Sequence, residues 1–259
     1  MRPVKNLFSI EGKTALVTGG SSGIGAMIAR GYVENGAKVY IASRKKEVCE
    51  KVAAELSRHG ECTPIAADLS TESGCQSLGD EIVEREGQLD VLVNNAGANW
   101  GEDLATFPDA AWDRVLNLNV KAIFHLTRHL VPALAKAGSD SDPARVINIG
   151  SIDGLKAPSL ETYSYSASKA AVHHMTRVLA KKLAPQHITV NAVAPGPFQS
   201  KMMRATLEQF GDAIAQTNPL GRIGQDEDMA GIAIFLASRA SAYMTGTVIP
   251  VDGGITATT

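Results

Sequence analysis

Tyr165 and Lys169 stand four residues apart in a stretch with a helical pattern, Tyr163–Leu183. That spacing puts both on one helix face, where the ammonium can approach the phenol. An unperturbed phenol has a pKa of about 10, and a neighbouring cation favours the phenolate and lowers it. Tyr165 would then hand a proton to a developing alkoxide, or take one from an alcohol, near neutral pH. Tyr163 is a decoy, because no lysine follows it by four. A Tyr-x-x-x-Lys pair alone is common on helix surfaces and gains weight only from its companions.

One companion is a glycine-rich turn. Thr18-Gly19-Gly20-Ser21-Ser22-Gly23-Ile24-Gly25 follows a strand-like run and opens a helical pattern. Glycines let the backbone approach a pyrophosphate closely, and the free N–H groups of the helix start point at the anion. The spacing is G-x-x-x-G-x-G rather than the general dinucleotide fingerprint, and such glycines also serve bare strand-to-helix turns. Its place at the head of a βα series is what favours phosphate binding.

A second companion lies at the end of the next strand-like run. A carboxylate there would hold a ribose 2′-hydroxyl, but the sequence reads Ser43-Arg44-Lys45-Lys46, with no acid before Glu47. A guanidinium offers a planar fork for a 2′-phosphate. The local charge therefore favours NADP(H) over NAD(H), with a solvated helix start as the plainer reading.

These groups need a scaffold. Strand-like runs at Thr14–Thr18, Lys38–Ala42, Thr63–Ala67, Val91–Asn94, Arg145–Ile149, Thr189–Val193 and Thr247–Val251 alternate with longer segments. The latter, at Ile24–Asn35, Lys46–His59, Glu72–Glu86, Asp109–Ala137 and Tyr163–Leu183, have helix length. The alternation predicts an α/β architecture with a parallel sheet covered on both faces, and runs such as Val91-Leu92-Val93 suit strands buried on both sides. Residues 1–259 read as a single doubly wound Rossmann domain with a seven-stranded parallel sheet. Ala194-Pro195-Gly196-Pro197-Phe198 reads as a stiff turn that ends a strand. The residues after it, about 197–222, read as a substrate lid carrying Met202, Met203, Leu207 and Phe210.

Bulk properties exclude several classes. A net charge of −2 with scattered Lys and Arg does not suit a nucleic-acid binder. No run approaches the roughly 20 apolar residues of a membrane span, and Met1–Lys13 carries no signal-like apolar core. Cys49, Cys62 and Cys75 are odd in number and lack CxxC spacing, fitting neither a disulfide framework nor a zinc site. A cytoplasmic protein is the expectation.

Taken in order, Thr18–Gly25, Asp68-Leu69, Asn94-Asn95-Ala96-Gly97, Asn119, Ser151, Tyr165-x-x-x-Lys169 and Pro195-Gly196 resemble the marks of the short-chain dehydrogenases/reductases. The resemblance runs from about Gly12 to Gly254, and several separate matches in order are far more specific than any one. It implies NAD(P)(H)-dependent hydride transfer between a nicotinamide and a small carbonyl or alcohol substrate. Gly19, Ser21, Ser22, Gly23, Ile24 and Gly25 would line the pyrophosphate, and Ser43 and Arg44 would meet the 2′-phosphate. Asp68 and Leu69 would meet the adenine, while Asn94, Asn95, Ala96 and Gly97 would flank its ribose and support the central strand. Ser151 would polarise the substrate oxygen beside Tyr165, and Lys169 would hold the nicotinamide ribose. Asn119, within the long helix, would anchor a water leading from Lys169. Pro195 and Gly196 would pack by the nicotinamide, with Ser200 on its carboxamide.

Two departures stand out. The gap from Ser151 to Tyr165 is one residue longer than the commonest family spacing, and Ser200 replaces a frequent threonine while keeping the hydroxyl. The wording around Ala144–Ser151, Tyr243–Gly246 and Asp252–Gly254, like the long gap, is most similar to bacterial NADPH-dependent 3-oxoacyl reductases, including the rhamnolipid-associated type. That implies reduction of a 3-oxoacyl thioester. A sugar or polyol dehydrogenase is the enzymatic alternative, and a non-catalytic dinucleotide sensor is the other class, disfavoured by retention of Asn119, Ser151, Tyr165 and Lys169. The family also implies a homotetramer, built through Asp109–Ala137, Tyr163–Leu183 and the last strand.

Other pairs carry less. His125 and His129 share a helix face but lack a glutamate partner or third ligand, so packing or a subunit interface is the better account than a metal. His173 and His174 cannot both face one site. Met202, Met203 and Trp100 read equally as pocket walls or packing residues.

Overall fold

A computed structural model describes residues 4–200 and 203–258. Its strands are β1 (Thr14–Thr18), β2 (Lys38–Ser43), β3 (Cys62–Ala66), β4 (Val91–Asn94), β5 (Ala144–Ile149), β6 (Ile188–Pro195) and β7 (Val248–Val251). They form one parallel sheet in the order β3-β2-β1-β4-β5-β6-β7. The order reverses between β1 and β4, which opens a crevice at their carboxyl ends, where doubly wound folds bind ligands.

Side chains alternate strictly between two cores. Ala15, Val17, Val91, Val93, Ile147 and Ile149 enter one cluster, with α1 (Gly23–Glu34) and α8 (Asp226–Ala237). Leu16, Leu92 and Val146 enter the other, with α3 (Glu72–Glu86) and α5 (Ala122–Ala137). This period-2 pattern over wholly apolar runs is what a sheet covered on both faces requires. The remaining helices are α2 (Lys46–Leu56), α4 (Asp109–Leu116), α6 (Tyr163–Leu183), α7 (Arg204–Thr217) and α9 (Ile255–Thr258). No helix among the described residues is long and apolar enough to cross a membrane.

Three boundaries differ from the sequence reading in ways that bear on the site. The long helix expected over Asp109–Ala137 is interrupted by a π-turn, Asn117–Lys121, the kind of inserted turn that collects at functional sites. Strand β6 runs on through Pro195, two residues past the expected end. The proline sits where the ladder closes, so its missing donor costs little, and the next N–H, of Gly196, donates to Val251 O at 3.0 Å. The segment expected to be a lid contains α7, and its two limbs are pinned at the base by a bridge between Phe198 and Gly224. There Gly224 N donates to Pro197 O at 2.9 Å. Met202 and the Phe210 side chain lie outside the described residues.

Candidate active site

The crevice is sewn together by Thr18. Its hydroxyl donates to Val93 O at 3.2 Å and accepts from Asn95 N at 2.9 Å and Ala96 N at 3.0 Å. Asn95 in turn donates from its amide to Thr18 O (2.9 Å) and Gly19 O (3.3 Å), fixing the glycine turn against β4. Gly19 has φ +66°, and a Cβ there would come within 2.7 Å of the Asn95 amide nitrogen. A Cβ on Gly25 would fall on the same amide and on the Gly19 carbonyl. Only glycine fits this close approach.

The turn then delivers α1 with its first amides uncapped. Ser22, at the N-cap, makes no side-chain cap bond, and no acid lies in the first turn. Ser21 is half-buried, and Ile24 turns inward against the α1 core. Unpaired N–H groups at a positive helix end, behind a glycine cradle, fit a pyrophosphate. At the end of β2, Arg44 is exposed and Ser43 half-exposed. Asp68 stands across from them, its carboxyl held below the usual range chiefly by the Ser70 N–H, with Arg44 adding to the effect. The chain's residues therefore fit a dinucleotide, with a cation rather than an acid at the 2′ position.

Two expected contacts turn inward instead. Leu69 is buried in the sheet's second core, so its side chain does not reach the adenine groove. Asn94 is buried as well, donating to Thr127 Oγ1 (3.1 Å) and Asn148 Oδ1 (2.9 Å). Its side chain thus ties β4 to β5 and α5 rather than facing the crevice. Ala96 and Gly97 line the turn beyond it, Gly97 lying against Asn119.

At the carboxyl ends of β4 and β5, three predicted side chains converge. Ser151 follows β5 and accepts the Asp153 N–H at 3.1 Å. Tyr165 and Lys169 sit one turn apart on α6, the lysine Nζ 5.4 Å from the centre of the phenol ring. Lys169 is 5 % exposed and donates to Ile149 O at 2.7 Å. In the protein alone, burial is the largest influence on the phenol. Burial pushes Tyr165 up to about 12, the Ser151 hydroxyl pulls it part of the way back, and Asp153 adds to the rise. Burial also brings Lys169 down to about 8, against the pull of Asp153. For both groups desolvation is the largest influence.

Asn119, in the π-turn, is buried and its amide is bonded at both ends. Oδ1 accepts from Ala98 N (2.8 Å), while Nδ2 donates to Ala98 O (2.9 Å) and to Ser168 Oγ (2.9 Å). The side chain thus ties the loop after β4 to α6. Pro195 and Gly196 close β6, with Gly196 packed on Asp252. Ser200 lies over the glycine cradle: a Cβ added at Gly23 would meet its Cβ at 3.1 Å.

Sequence reasoning missed Asp153 and the place of His173. The latter is buried on the same face of α6 as Tyr165 and Lys169, its Nδ1 3.3 Å from Gly154 O, while His174 faces solvent. The i, i+4, i+8 spacing of Tyr165, Lys169 and His173 carried that signal. His125 and His129 face carboxylates on α3, Glu72 at 3.6 Å and Asp80 at 3.0 Å, which accounts for them as packing between two helices. Trp100 lies under the Arg114 guanidinium, 5.4 Å from its ring.

A Rossmann sheet, a glycine cradle and a Ser–Tyr–Lys cluster define a short-chain dehydrogenase/reductase, and the chain belongs to that family. It is an oxidoreductase of alcohol and carbonyl groups. A family model described as enoyl-(acyl carrier protein) reductase matches residues 19–256. The chain is 49 % identical over 249 residues to the rhamnolipids biosynthesis 3-oxoacyl-(acyl-carrier-protein) reductase of Pseudomonas aeruginosa, covering 95 % of this chain and 97 % of that one. It is 37 % identical over 260 residues to the 2-dehydro-3-deoxy-D-gluconate 5-dehydrogenase of Dickeya dadantii, covering 97 % and 98 %. The solved structure of the Pseudomonas aeruginosa RhlG/NADP active-site complex superposes with a TM-score of 0.94 at 47 % identity, over 99 % of this chain and 100 % of that one.

Proposed function

We propose that this chain reduces the 3-oxo carbonyl of an acyl thioester to a 3-hydroxy group, using NADPH. The observation that carries the reading is the convergence of Ser151, Tyr165 and Lys169 beside a cradle whose 2′ position presents Arg44 and no acid. The relatives named above support the thioester and the cofactor.

The nicotinamide, when bound, supplies the hydride. Everything else falls to the protein. Gly19 and the amides of α1 seat the pyrophosphate, with Arg44 and Ser43 on the 2′-phosphate. The Asp153 N–H on Ser151 Oγ holds that hydroxyl beside Tyr165, and in the complex it donates its proton to the substrate oxygen. The phenol of Tyr165, held protonated by burial, is the acid that delivers a proton to that oxygen as it becomes an alkoxide. Lys169 holds the ribose and keeps the phenol in place, and the main chain of Asn119 anchors a water on the proton's path.

The same reading takes residues 1–259 as one domain with a lid at about 197–222, working in the cytoplasm as a homotetramer. A second reading, oxidation of a sugar acid or polyol, is favoured by the 37 % identical gluconate-type relative. NADPH and NADH consumption over 3-oxoacyl thioesters, keto-sugars, quinones and cyclic ketones separates the two. Turnover confined to the thioesters supports the first reading, and turnover confined to keto-sugars replaces it with the second.

A further inference from the structure

His173 is buried on α6 one turn beyond Lys169, and the mechanism above gives it no part. Its ring lies between two glycines that bracket Ser151. A Cβ on Gly150, the residue before the serine, would fall on His173 Nε2 and come within 2.7 Å of its Cδ2. A Cβ on Gly154, three residues after the serine, would come within 2.8 Å of His173 Cε1 and 2.6 Å of the Lys169 carbonyl carbon. Neither glycine takes the left-handed backbone that would itself call for glycine. What leaves no room for a side chain is the closeness of α6, and at Gly150 chiefly the imidazole.

One hydrogen bond fixes the ring in that slot. His173 Nδ1 lies 3.3 Å from Gly154 O, and since a carbonyl only accepts, Nδ1 carries the proton and donates. Nε2 has no partner among the described residues. The turn held in this way is the one that aims Ser151: Gly154 N donates to Ser151 O at 3.1 Å, and the Asp153 N–H donates to Ser151 Oγ at 3.1 Å. Ser151 follows β5, whereas Tyr165 stands on α6 with His173. The separation of the two hydroxyls is therefore set by how the turn seats on the helix, and His173 spans that seam. A misplacement of about 1 Å between such groups can cost about 10²-fold in rate.

We propose that His173 is a positioning residue for the reaction, wedged between Gly150 and Gly154 so that Ser151 meets the substrate oxygen together with Tyr165. This rests on the Ser151–Tyr165 reading of the site and not on the thioester.

The test is a double-mutant cycle between His173 and Ser151, run on whichever ketone of the panel above is turned over fastest. The parent, His173→Leu, His173→Asn, Ser151→Ala and the double variant Ser151→Ala with His173→Leu are compared for kcat and for NADPH affinity. Leucine fills much of the slot without a donor, while the asparagine amide can still donate to Gly154 O. Rates are counted per bound NADPH, so misfolded chains drop out of the comparison. Where a variant turns over too slowly to read, the dissociation constant of the same ketone from its NADP⁺ complex takes the place of kcat.

His173→Leu is expected to lower kcat by about tenfold or more with NADPH affinity unchanged, and His173→Asn to recover most of that loss. In the Ser151→Ala background the same leucine is expected to cost less than about twofold, because the hydroxyl it positions is gone. A residue that merely supports the fold would lower the rate equally in both backgrounds. That result overturns the proposal, as does parent-like turnover or lost NADPH affinity in His173→Leu. Parent-like turnover in Ser151→Ala is a different failure: it removes the serine from the mechanism, and the positioning role with it.

Discussion

Lys169 lies one turn from Tyr165 on α6, yet its ammonium donates to Ile149 O at 2.7 Å and faces the phenol ring at 5.4 Å from the centre. The lysine is a buried cation held by a strand carbonyl at the end of β5, not a surface partner of the tyrosine. Burial draws both groups toward their neutral forms, Lys169 down to about 8 and Tyr165 up to about 12. The fold therefore accepts a destabilising charge at the place where the chemistry needs one.

That cost has a pH signature. Folded Lys169 binds its proton less tightly than the unfolded side chain, whose ordinary value is 10.5. Below about pH 8 both states are protonated, and the full desolvation cost opposes folding. As pH rises toward that unfolded value, only the unfolded state keeps the proton, so folding gains. Against Lys169→Met, the parent is expected to gain about 1–3 kcal/mol of relative stability between about pH 7 and about pH 10. Urea unfolding at the two pH values measures this, and a constant difference contradicts it.

Arg44 is expected to set cofactor choice. It is exposed at the end of β2, across from Asp68, and no acid lies between it and Glu47. Arg44→Ala is expected to weaken NADPH binding by about 10–100-fold, the size of a lost charge-assisted bond, and to leave NADH nearly unchanged. Fluorescence titration of both cofactors reads the difference. Equal losses would mean that Arg44 does not select the phosphate.

Much of this was legible in the sequence, because the strongest constraints are local. Glycines at 19, 23 and 25 have few uses after a strand, and Tyr165 with Lys169 follows directly from helical spacing. The period of apolar residues placed every strand to within two residues. What escaped depends on contacts distant in sequence. The π-turn at Asn117–Lys121 accompanies the bonds of Asn119 to Ala98 and Ser168, and nothing in a helical pattern announces it. Leu69 and Asn94 turn inward because their cores lie on other elements. Asp153 reads as an ordinary loop acid until the turn carrying it is seen packed on α6. The rise in the Tyr165 pKa is a property of burial, which a four-residue spacing does not carry.

Gly19 cannot tolerate a side chain. A Cβ there meets the Asn95 amide at 2.7 Å and Ala96 Cα at 3.1 Å, on a backbone with φ +66°. Gly19→Ala is expected to lower stability by about 1–3 kcal/mol and cofactor affinity by about tenfold or more, since the cradle must shift to accept the methyl. Thermal unfolding with and without NADPH measures both. Parent-like ligand stabilisation in the variant would show that the turn does not form the phosphate seat.

The outer faces of α5 and α6 leave Phe124 and Val178 exposed, at 42 % and 54 %. Those apolar side chains suit burial between copies of the chain. Light scattering at micromolar concentration is expected to show a tetramer, and Phe124→Asp to shift it toward smaller species. A monomeric parent contradicts the assembly.

The most direct test of the central claim is NADPH oxidation by the parent protein and by Tyr165→Phe, with cofactor affinity measured on both. The phenylalanine keeps the ring beside Lys169 and removes only the proton that Tyr165 is said to deliver. Turnover is expected to fall by about 10²–10⁴-fold with NADPH affinity retained. Parent-like turnover in Tyr165→Phe would contradict the assignment of the acid, and with it the chemistry proposed for the site.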